Sequence, residues 1–175
     1  KQLSVRLVLA PFRIDSSAPM TQSLREYVLQ QWHNVHHTTG QAFNFSFEMG
    51  PDFIYDTKLA CRAIKAFSKQ QSEQELEFMH AIQVAFYCSN LDITNEKVLV
   101  ELLANYEIDT SLFIKDLYAK EISRSLEEDF NYCQQLEVQG YPTLVGIKEK
   151  SIIVLAYGYA PYAELKSKIE SWIEG

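Results

Sequence analysis

The sequence predicts an α/β fold with a small sheet and a large helical insertion in a chain of 175 residues. Three observations predict it. Residues 3, 5, 7 and 9 are apolar, as on one face of a strand, with Val8 on the other face; a long middle stretch has helical spacing, and two strand-like runs follow near the end. Strands at both ends must share a sheet. We therefore expect residues 1–15 and 138–175 to form the sheet portion, and residues 16–137 a mostly helical insertion whose last helix packs back on the sheet.

The middle of the chain indicates consecutive helices with recognisable start signals. Apolar side chains recur at helical spacing from Leu24 to Val35 and again in the later stretches. Asp, Asn and Ser side chains accept hydrogen bonds from the free amide groups at a helix start. The last helical stretch runs to Leu136, and Gly140 is placed to end it. The predicted start signals are Asp56, the pair Ser72 and Glu75 as a capping box, Asn95 and Asp109.

The C-terminal stretch returns to strand periodicity directly after a proline. Residues 143–147 and 151–157 are joined by the short polar link 148–150, which predicts a hairpin. Pro142 stands immediately before the first of these strands, where the missing amide group does no harm. Pro161 then fits the first turn of a final helix.

Composition and charge exclude several classes of protein. A net charge of −7 argues against binding to a phosphate backbone, so we expect no nucleic-acid partner. No run of about 18 apolar residues is present, so we expect no membrane span. The 3 cysteines are widely spaced and odd in number, which favours reduced thiols and a cytoplasmic location over a disulfide scaffold.

Histidines and cysteines supply the remaining candidates for chemistry. His33, His36 and His37 share helical spacing, but no carboxylate or cysteine lies at ligand spacing, so we expect no metal site. His33 and the neighbouring Trp32 are candidates for the wall of a cleft. We expect two of the cysteines, Cys61 and Cys133, to be buried, Cys88 to be the most exposed, and the acidic run 127–129 to be a solvated helix face.

The segment Gly140-Tyr141-Pro142-Thr143, followed by a hairpin and a terminal helix, resembles the C-terminal half of a thioredoxin fold. The initial strand with a helical insertion resembles the DsbA-like family, and the FrnE-like proteins within it. This resemblance implies a thioredoxin-like fold in which Pro142 is a cis-proline. It also implies that Tyr141, Pro142 and Thr143 bind substrate, with the backbone of Tyr141 pairing with an extended chain.

The same family carries a Cys-x-x-Cys pair after an earlier strand, and no two cysteines of this sequence have that spacing. The chain begins at Lys1 rather than Met. We therefore expect the catalytic dithiol, which the resemblance implies, on a strand and helix unit of roughly 30 or more residues upstream of Lys1. No residue of this chain is predicted to be catalytic.

The resemblance implies a thiol:disulfide oxidoreductase or isomerase that acts on protein or peptide thiols without a bound cofactor. A first alternative is a glutathione-dependent transferase or isomerase of the kappa and 2-hydroxychromene-2-carboxylate isomerase type, in which the Pro142 loop binds glutathione. A second alternative is a redox-inactive thioredoxin-like module that binds peptides. The upstream residue, a cysteine pair or a serine, distinguishes the two enzymes.

Overall fold

The computed structural model describes residues 3–11, 17–149 and 151–174. Contacts divide the chain into two compact units, Lys1–Asn131 and Tyr132–Gly175. The boundary predicted between residues 15 and 16, and Lys150 of the hairpin link, lie outside the described residues. The helices of the first unit are α1 (Gln22–Thr39), α2 (Lys58–Ser68), α3 (Glu75–Tyr87), α4 (Glu96–Glu101), α5 (Thr110–Leu117) and α6 (Lys120–Gln135), whose last residues belong to the second unit; 3-10 turns lie at Ser72–Gln74 and Leu102–Asn105.

The second unit contains the predicted hairpin and final helix, and both predictions are confirmed. Strand β1 (Thr143–Lys148) pairs antiparallel with β2 (Ser151–Tyr157), and α7 (Tyr162–Glu174) follows. The register pairs Thr143 with Tyr157 and shifts between Leu144 and Val145. Helix α7 packs against β2 and also approaches β1, where a Cβ atom added to Gly146 would lie 2.8 Å from the indole of Trp172.

The predicted strand at residues 3–9 is wrong. In the described part of the chain the sheet consists of β1 and β2, and residues 3–9 pair with neither. The amide group of Leu9 donates instead to a carboxylate oxygen of Asp129, at 3.0 Å. Of the alternating apolar residues only Leu9 is buried, whereas Leu3 and Val5 are 49% and 74% exposed, so the alternation identified neither a buried face nor a hydrogen-bonding partner.

Two helices begin with the predicted side-chain cap, and at a third the predicted residue accepts a hydrogen bond one position earlier than a cap would. The Asn95 carboxamide oxygen accepts from the amide of Lys97, and the Asp109 carboxylate accepts from that of Leu112, both at 3.0 Å. Asp56 accepts from the amide of Lys58 at 2.6 Å, although the residue directly before α2 is Thr57.

Two predicted helix boundaries are wrong. Ser72 opens a 3-10 turn rather than capping α3, and the Glu75 carboxylate accepts from the hydroxyl of Ser68 at 2.8 Å. Glu75 therefore pairs with Ser68, which precedes the predicted capping box, and not with Ser72. Helix α6 ends before Gly140, because Glu137 adopts a positive φ of 53° and the Val138 amide turns back to the carbonyl of Cys133.

The core of the first unit is built largely from aromatic rings. Trp32 meets Phe47 edge-on, with ring centroids 5.1 Å apart, and Phe67 stacks on Phe78 at 4.3 Å. Phe67, Phe78 and Phe113 are completely buried. Because aromatic side chains bury more area than others, these rings dominate the stability of the unit.

The acidic run 127–129 is not a uniformly solvated face. Asp129 is 1% exposed and its carboxylate contacts Lys65, Arg6 and the Leu9 amide. These partners belong to two segments that are distant in sequence, so the carboxylate ties α2 and the N-terminal segment to α6. The sequence pattern misses this residue because its partners are not local.

Candidate substrate-binding loop

Residues 140–143 form a loop held at both ends by hydrogen bonds. The Thr143 hydroxyl donates to the carbonyl of Gly140 at 2.6 Å, and the amide of Gly158 donates to the carbonyl of Pro142 at 2.7 Å. The peptide bond between Tyr141 and Pro142 is cis. Tyr141 and Pro142 are exposed and Thr143 is half-buried. The loop is therefore fixed in place while its outer residues face solvent.

The hairpin explains why the loop is fixed. Pairing of Thr143 with Tyr157 brings the following residue, Gly158, beside Pro142. Gly158 adopts a φ of +65°, a conformation that glycine reaches without steric penalty, and the chain turns there towards α7. Gly158 was not among the predicted site residues. A count outward from the turn places residue 157 opposite 142, because the register shift between Leu144 and Val145 is not visible in the sequence, so no sequence signal identifies Gly158.

Tyr141 has a second contact, through its side chain. Its hydroxyl group lies beside the thiol of Cys133 near the end of α6. Partial burial of the hydroxyl, and then the adjacent Cys133 thiol, raise the pKa of Tyr141. Tyr141 nevertheless keeps 57% of its surface exposed, so more than half of the residue faces solvent.

The structure places Trp32 and His33 in the first unit. Trp32 is buried among the rings of Phe43, Phe47 and Phe86, and it is part of the core rather than of a surface cleft. His33 is exposed on α1 and stacks on Phe45, with ring centroids 4.0 Å apart. In residues 3–11, 17–149 and 151–174, no group of three His, Cys, Asp or Glu side chains could hold a metal ion.

The three cysteines have the chemistry of structural thiols. Cys61 and Cys133 are buried, as predicted, and Cys88 is half-buried with its thiol donating to the carbonyl of Ala42 at 3.2 Å. Burial raises the pKa of Cys61 to about 12. A nucleophilic thiol needs a depressed pKa and access to its substrate, and Cys61 has neither.

Comparison with known proteins decides the family. Residues 21–167 match the family model described as thioredoxin. The chain belongs to the thioredoxin family. A crystal structure of a candidate protein disulfide isomerase from Nitrosomonas europaea superposes with a TM-score of 0.85 and 30% identity, covering 91% of this chain and 78% of that one. The predicted thioredoxin-like fold with a helical insertion, of the DsbA-like kind, is confirmed.

A second solved structure shares the fold at lower identity. The cytosolic disulfide reductase DsbM from Pseudomonas aeruginosa has a TM-score of 0.77 at 21% identity, covering 90% of this chain and 82% of its own. Its structure with GSH has a TM-score of 0.77 at 18% identity, covering 92% and 81%. No helix in the described part of this chain has the length and apolar character needed to cross a membrane.

The curated relatives are longer than the matching region. The ClpXP adapter protein SpxH of Bacillus subtilis (strain 168) is 26% identical over 138 residues, which are 75% of this chain and 46% of that protein. A probable disulfide bond formation protein D of Bacillus anthracis is 34% identical over 95 residues, which are 51% of this chain and 42% of that protein. The chain thus spans less than half the length of these relatives.

Proposed function

We propose that this chain takes part in thiol–disulfide exchange on protein or peptide substrates, and that the loop of residues 140–143 binds the substrate. The observation that carries the proposal is the likeness to the Nitrosomonas europaea structure, at 30% identity over 91% of the chain. The loop supports it, because it presents two exposed residues, Tyr141 and Pro142, in a segment that hydrogen bonds hold in place. An extended peptide can add to an exposed strand edge through main-chain hydrogen bonds.

The exchange proceeds in two successive nucleophilic substitutions at sulfur. A thiolate attacks one sulfur of a disulfide, the sulfur–sulfur bond breaks, and a mixed disulfide and a second thiolate result. A second thiolate then attacks the sulfur that made the first attack, forms a new disulfide with it, and releases the remaining substrate sulfur as a thiolate that takes up a proton. The two electrons come from one dithiol or from two molecules of a small thiol such as glutathione. Tyr141, Pro142 and Thr143 hold the substrate backbone during both steps.

We propose further that none of the three cysteines of this chain is the attacking thiolate. Cys61 is buried with a pKa of about 12, and Cys133 is buried beside Tyr141. The thiol of Cys88 donates a hydrogen bond to the backbone carbonyl of Ala42. The dithiol expected upstream of Lys1 and the cytoplasmic location both stay predictions.

The experiment is disulfide reduction by the intact natural protein, compared with a variant carrying Cys61→Ala, Cys88→Ala and Cys133→Ala. We expect the second-order rate constant to stay within about threefold, because a group outside the chemistry contributes little to transition-state stabilisation. A loss of all activity in a variant that circular dichroism shows to be folded would contradict the proposal. If the triple variant unfolds, the three single variants answer the same question.

A second candidate function is favoured by the likeness to SpxH, which is described as a ClpXP adapter protein. In that case the loop binds a client protein without exchanging disulfides. The distinguishing result is a natural protein that binds a peptide at the loop but reduces neither peptide disulfides nor oxidised glutathione.

A further inference from the structure

The first unit contains a half-enclosed cavity between α2 and α3. Its volume is about 180 Å³, and residues of both helices form its walls together with Leu9 and Ile93. Its most deeply buried lining residues include Ile82 and Phe86, which are 3% and 2% exposed. The loop of residues 140–143 contributes no wall to this cavity, so any ligand that it holds is distinct from a substrate bound at the loop.

The walls of the cavity are largely apolar and carry no charge. Helix α2 contributes Ala60, Cys61 and Ile64, and α3 contributes Met79 among others. Within the described part of the chain, no Asp, Glu, Lys, Arg or His side chain lines the cavity. Moving an ion out of water into such surroundings costs far more free energy than uncharged walls return, so the cavity selects an uncharged ligand. Water is a poor occupant too, because apolar cavities stay dry.

Aromatic side chains give the walls a preference for a flat ring. Tyr55 stacks on Phe86 with ring centroids 5.7 Å apart, and Phe86 meets Tyr87 edge-on at 5.0 Å. All three line the cavity, and the thioether of Met79 adds a polarisable wall. Because these rings already hold one another in place, they lose little freedom when a further ring packs against them. The size agrees, since an apolar cavity of about 150 Å³ accepts benzene.

A few polar groups at the cavity allow one hydrogen bond to a ligand. The hydroxyl group of Tyr87 lies beside that of Tyr55, and Gln83 is the exposed lining residue. Burial raises the pKa of Tyr87 above its ordinary value, so its hydroxyl keeps its proton and stays uncharged. A hydroxyl group both donates and accepts, so a ligand with one hydroxyl group of its own can pair with it.

We propose that the cavity between α2 and α3 is a binding site for a small, uncharged aromatic molecule with one hydroxyl group, of the size of phenol. The ring of the ligand packs against Ala60, Met79 and Phe86, and its hydroxyl group pairs with that of Tyr87. This site goes beyond the proposed function, because it takes no part in thiol–disulfide exchange and stands whether or not the loop binds a substrate.

The test is isothermal titration calorimetry of the intact natural protein with phenol, and with benzoate as a charged probe of similar size. We expect phenol to bind one-to-one with a Kd of about 0.1–1 mM, which is within reach of so small a ligand. Benzoate should bind at least about tenfold more weakly, because no cation lines the cavity to pair with its carboxylate. The absence of saturable phenol binding up to about 10 mM, or equal affinity for benzoate, overturns the proposal.

Filling the cavity tests where phenol binds. Ala60 lines the cavity and is 5% exposed, so the larger side chain of Ala60→Leu occupies the space of the ligand. We expect this variant to raise the Kd for phenol at least about tenfold. The matched control is Ala81→Leu, at a half-buried position of α3 that does not line the cavity, and it should change the Kd less than about twofold. An unchanged Kd in folded Ala60→Leu overturns the proposal.

Alkylation of Cys61 answers the question without a variant, should Ala60→Leu fail to fold. The thiol of Cys61 lines the cavity and that of Cys88, in the same unit, does not. We expect saturating phenol to slow the reaction of Cys61 with iodoacetamide at least about threefold and to leave that of Cys88 unchanged, as mass spectrometry of the two peptides measures. An unchanged rate at Cys61 overturns the proposal, because the bound phenol then lies elsewhere.

Discussion

The two units of the chain use apolar side chains in opposite ways. In the first unit the large rings are enclosed, and Phe67, Phe78 and Phe113 have no exposed surface. In the second unit Ile147 and Ile152 on the hairpin are 48% and 55% exposed. Buried apolar residues stabilise a fold, whereas exposed apolar residues leave surface that another segment or molecule can cover. The comparison therefore places the enclosed aromatic core in the first unit and leaves apolar surface open on the hairpin.

Truncating a buried ring should give the largest effect. We expect Phe67→Ala to lower the free energy of unfolding by about 4 kcal/mol, because it removes a fully buried ring and leaves a cavity. Ile152→Ala on the exposed hairpin should lower it by less than about 1 kcal/mol. Urea unfolding followed by circular dichroism measures both values, and equal losses would contradict the comparison.

Removal of the buried carboxylate should have the next largest effect. We expect Asp129→Asn to lower the free energy of unfolding by about 3 kcal/mol, because it leaves the Lys65 ammonium group without its charged partner. Glu128→Gln, one residue earlier, breaks only an exposed pair with Arg124 and should lower it by less than about 0.5 kcal/mol. An equally small loss for Asp129→Asn in urea unfolding would mean that Lys65 reaches water.

Substitution of Gly146 tests whether the side of the hairpin that faces α7 is tightly packed. An added methyl group would lie 2.8 Å from Trp172 and 3.1 Å from Leu155, so Gly146→Ala should lower the free energy of unfolding by about 1–3 kcal/mol. Gly140→Ala meets no atom within 4 Å and is the matched control. Thermal unfolding of the two variants decides the point: if both leave the midpoint unchanged, the side of the hairpin towards α7 is as open as the other.

The buried thiol in the first unit makes stability depend on pH. The folded pKa of Cys61, about 12, lies above the ordinary value of 9.0, so the folded state keeps its proton when the unfolded state loses it. The associated stability is complete below pH 9.0 and is lost progressively between pH 9.0 and about 12. In this window the free energy of unfolding should fall more steeply with pH in the natural sequence than in Cys61→Ala. The difference between the two slopes should be up to about 1.4 kcal/mol per pH unit.

Urea unfolding at several pH values measures this difference, and groups common to both proteins cancel in it. Cys88→Ala is the control, because its thiol is less buried than that of Cys61. Parallel pH profiles for the natural sequence and Cys61→Ala would show that the Cys61 thiol ionises as readily in the folded state as in the unfolded one.

The sequence predicted those features that depend on neighbouring residues. Helix spacing located α1 to α6 in outline, and the caps Asn95 and Asp109 were identified because a cap and its amide are only two or three residues apart. The hairpin and the loop before it were predicted for the same reason. Strand pairing of residues 3–9 was predicted wrongly, since a partner strand cannot be inferred from the strand itself.

The parts of the site that depend on distant contacts were missed. Gly158 reaches Pro142 only through the hairpin register, and Cys133 reaches Tyr141 through the turn that follows α6. Asp129 was assigned to a solvated face because its partners Arg6 and Lys65 are more than 60 residues away. Trp32 was considered for a cleft although its ring completes the core, because an aromatic stripe has the same pattern in both situations.

Hydrogen exchange of the intact natural protein, with and without a short, terminally blocked peptide of Leu, Phe and Ala that carries one Ser in place of the substrate Cys, tests the central claim most directly. The account predicts that the peptide slows exchange in residues 139–145 and 156–160, and that the amides of α2 and α3 in the enclosed first unit exchange at unchanged rates. Protection confined to the first unit would contradict the assignment of substrate binding to the loop of residues 140–143. Unchanged exchange throughout the chain at saturating peptide would contradict it equally.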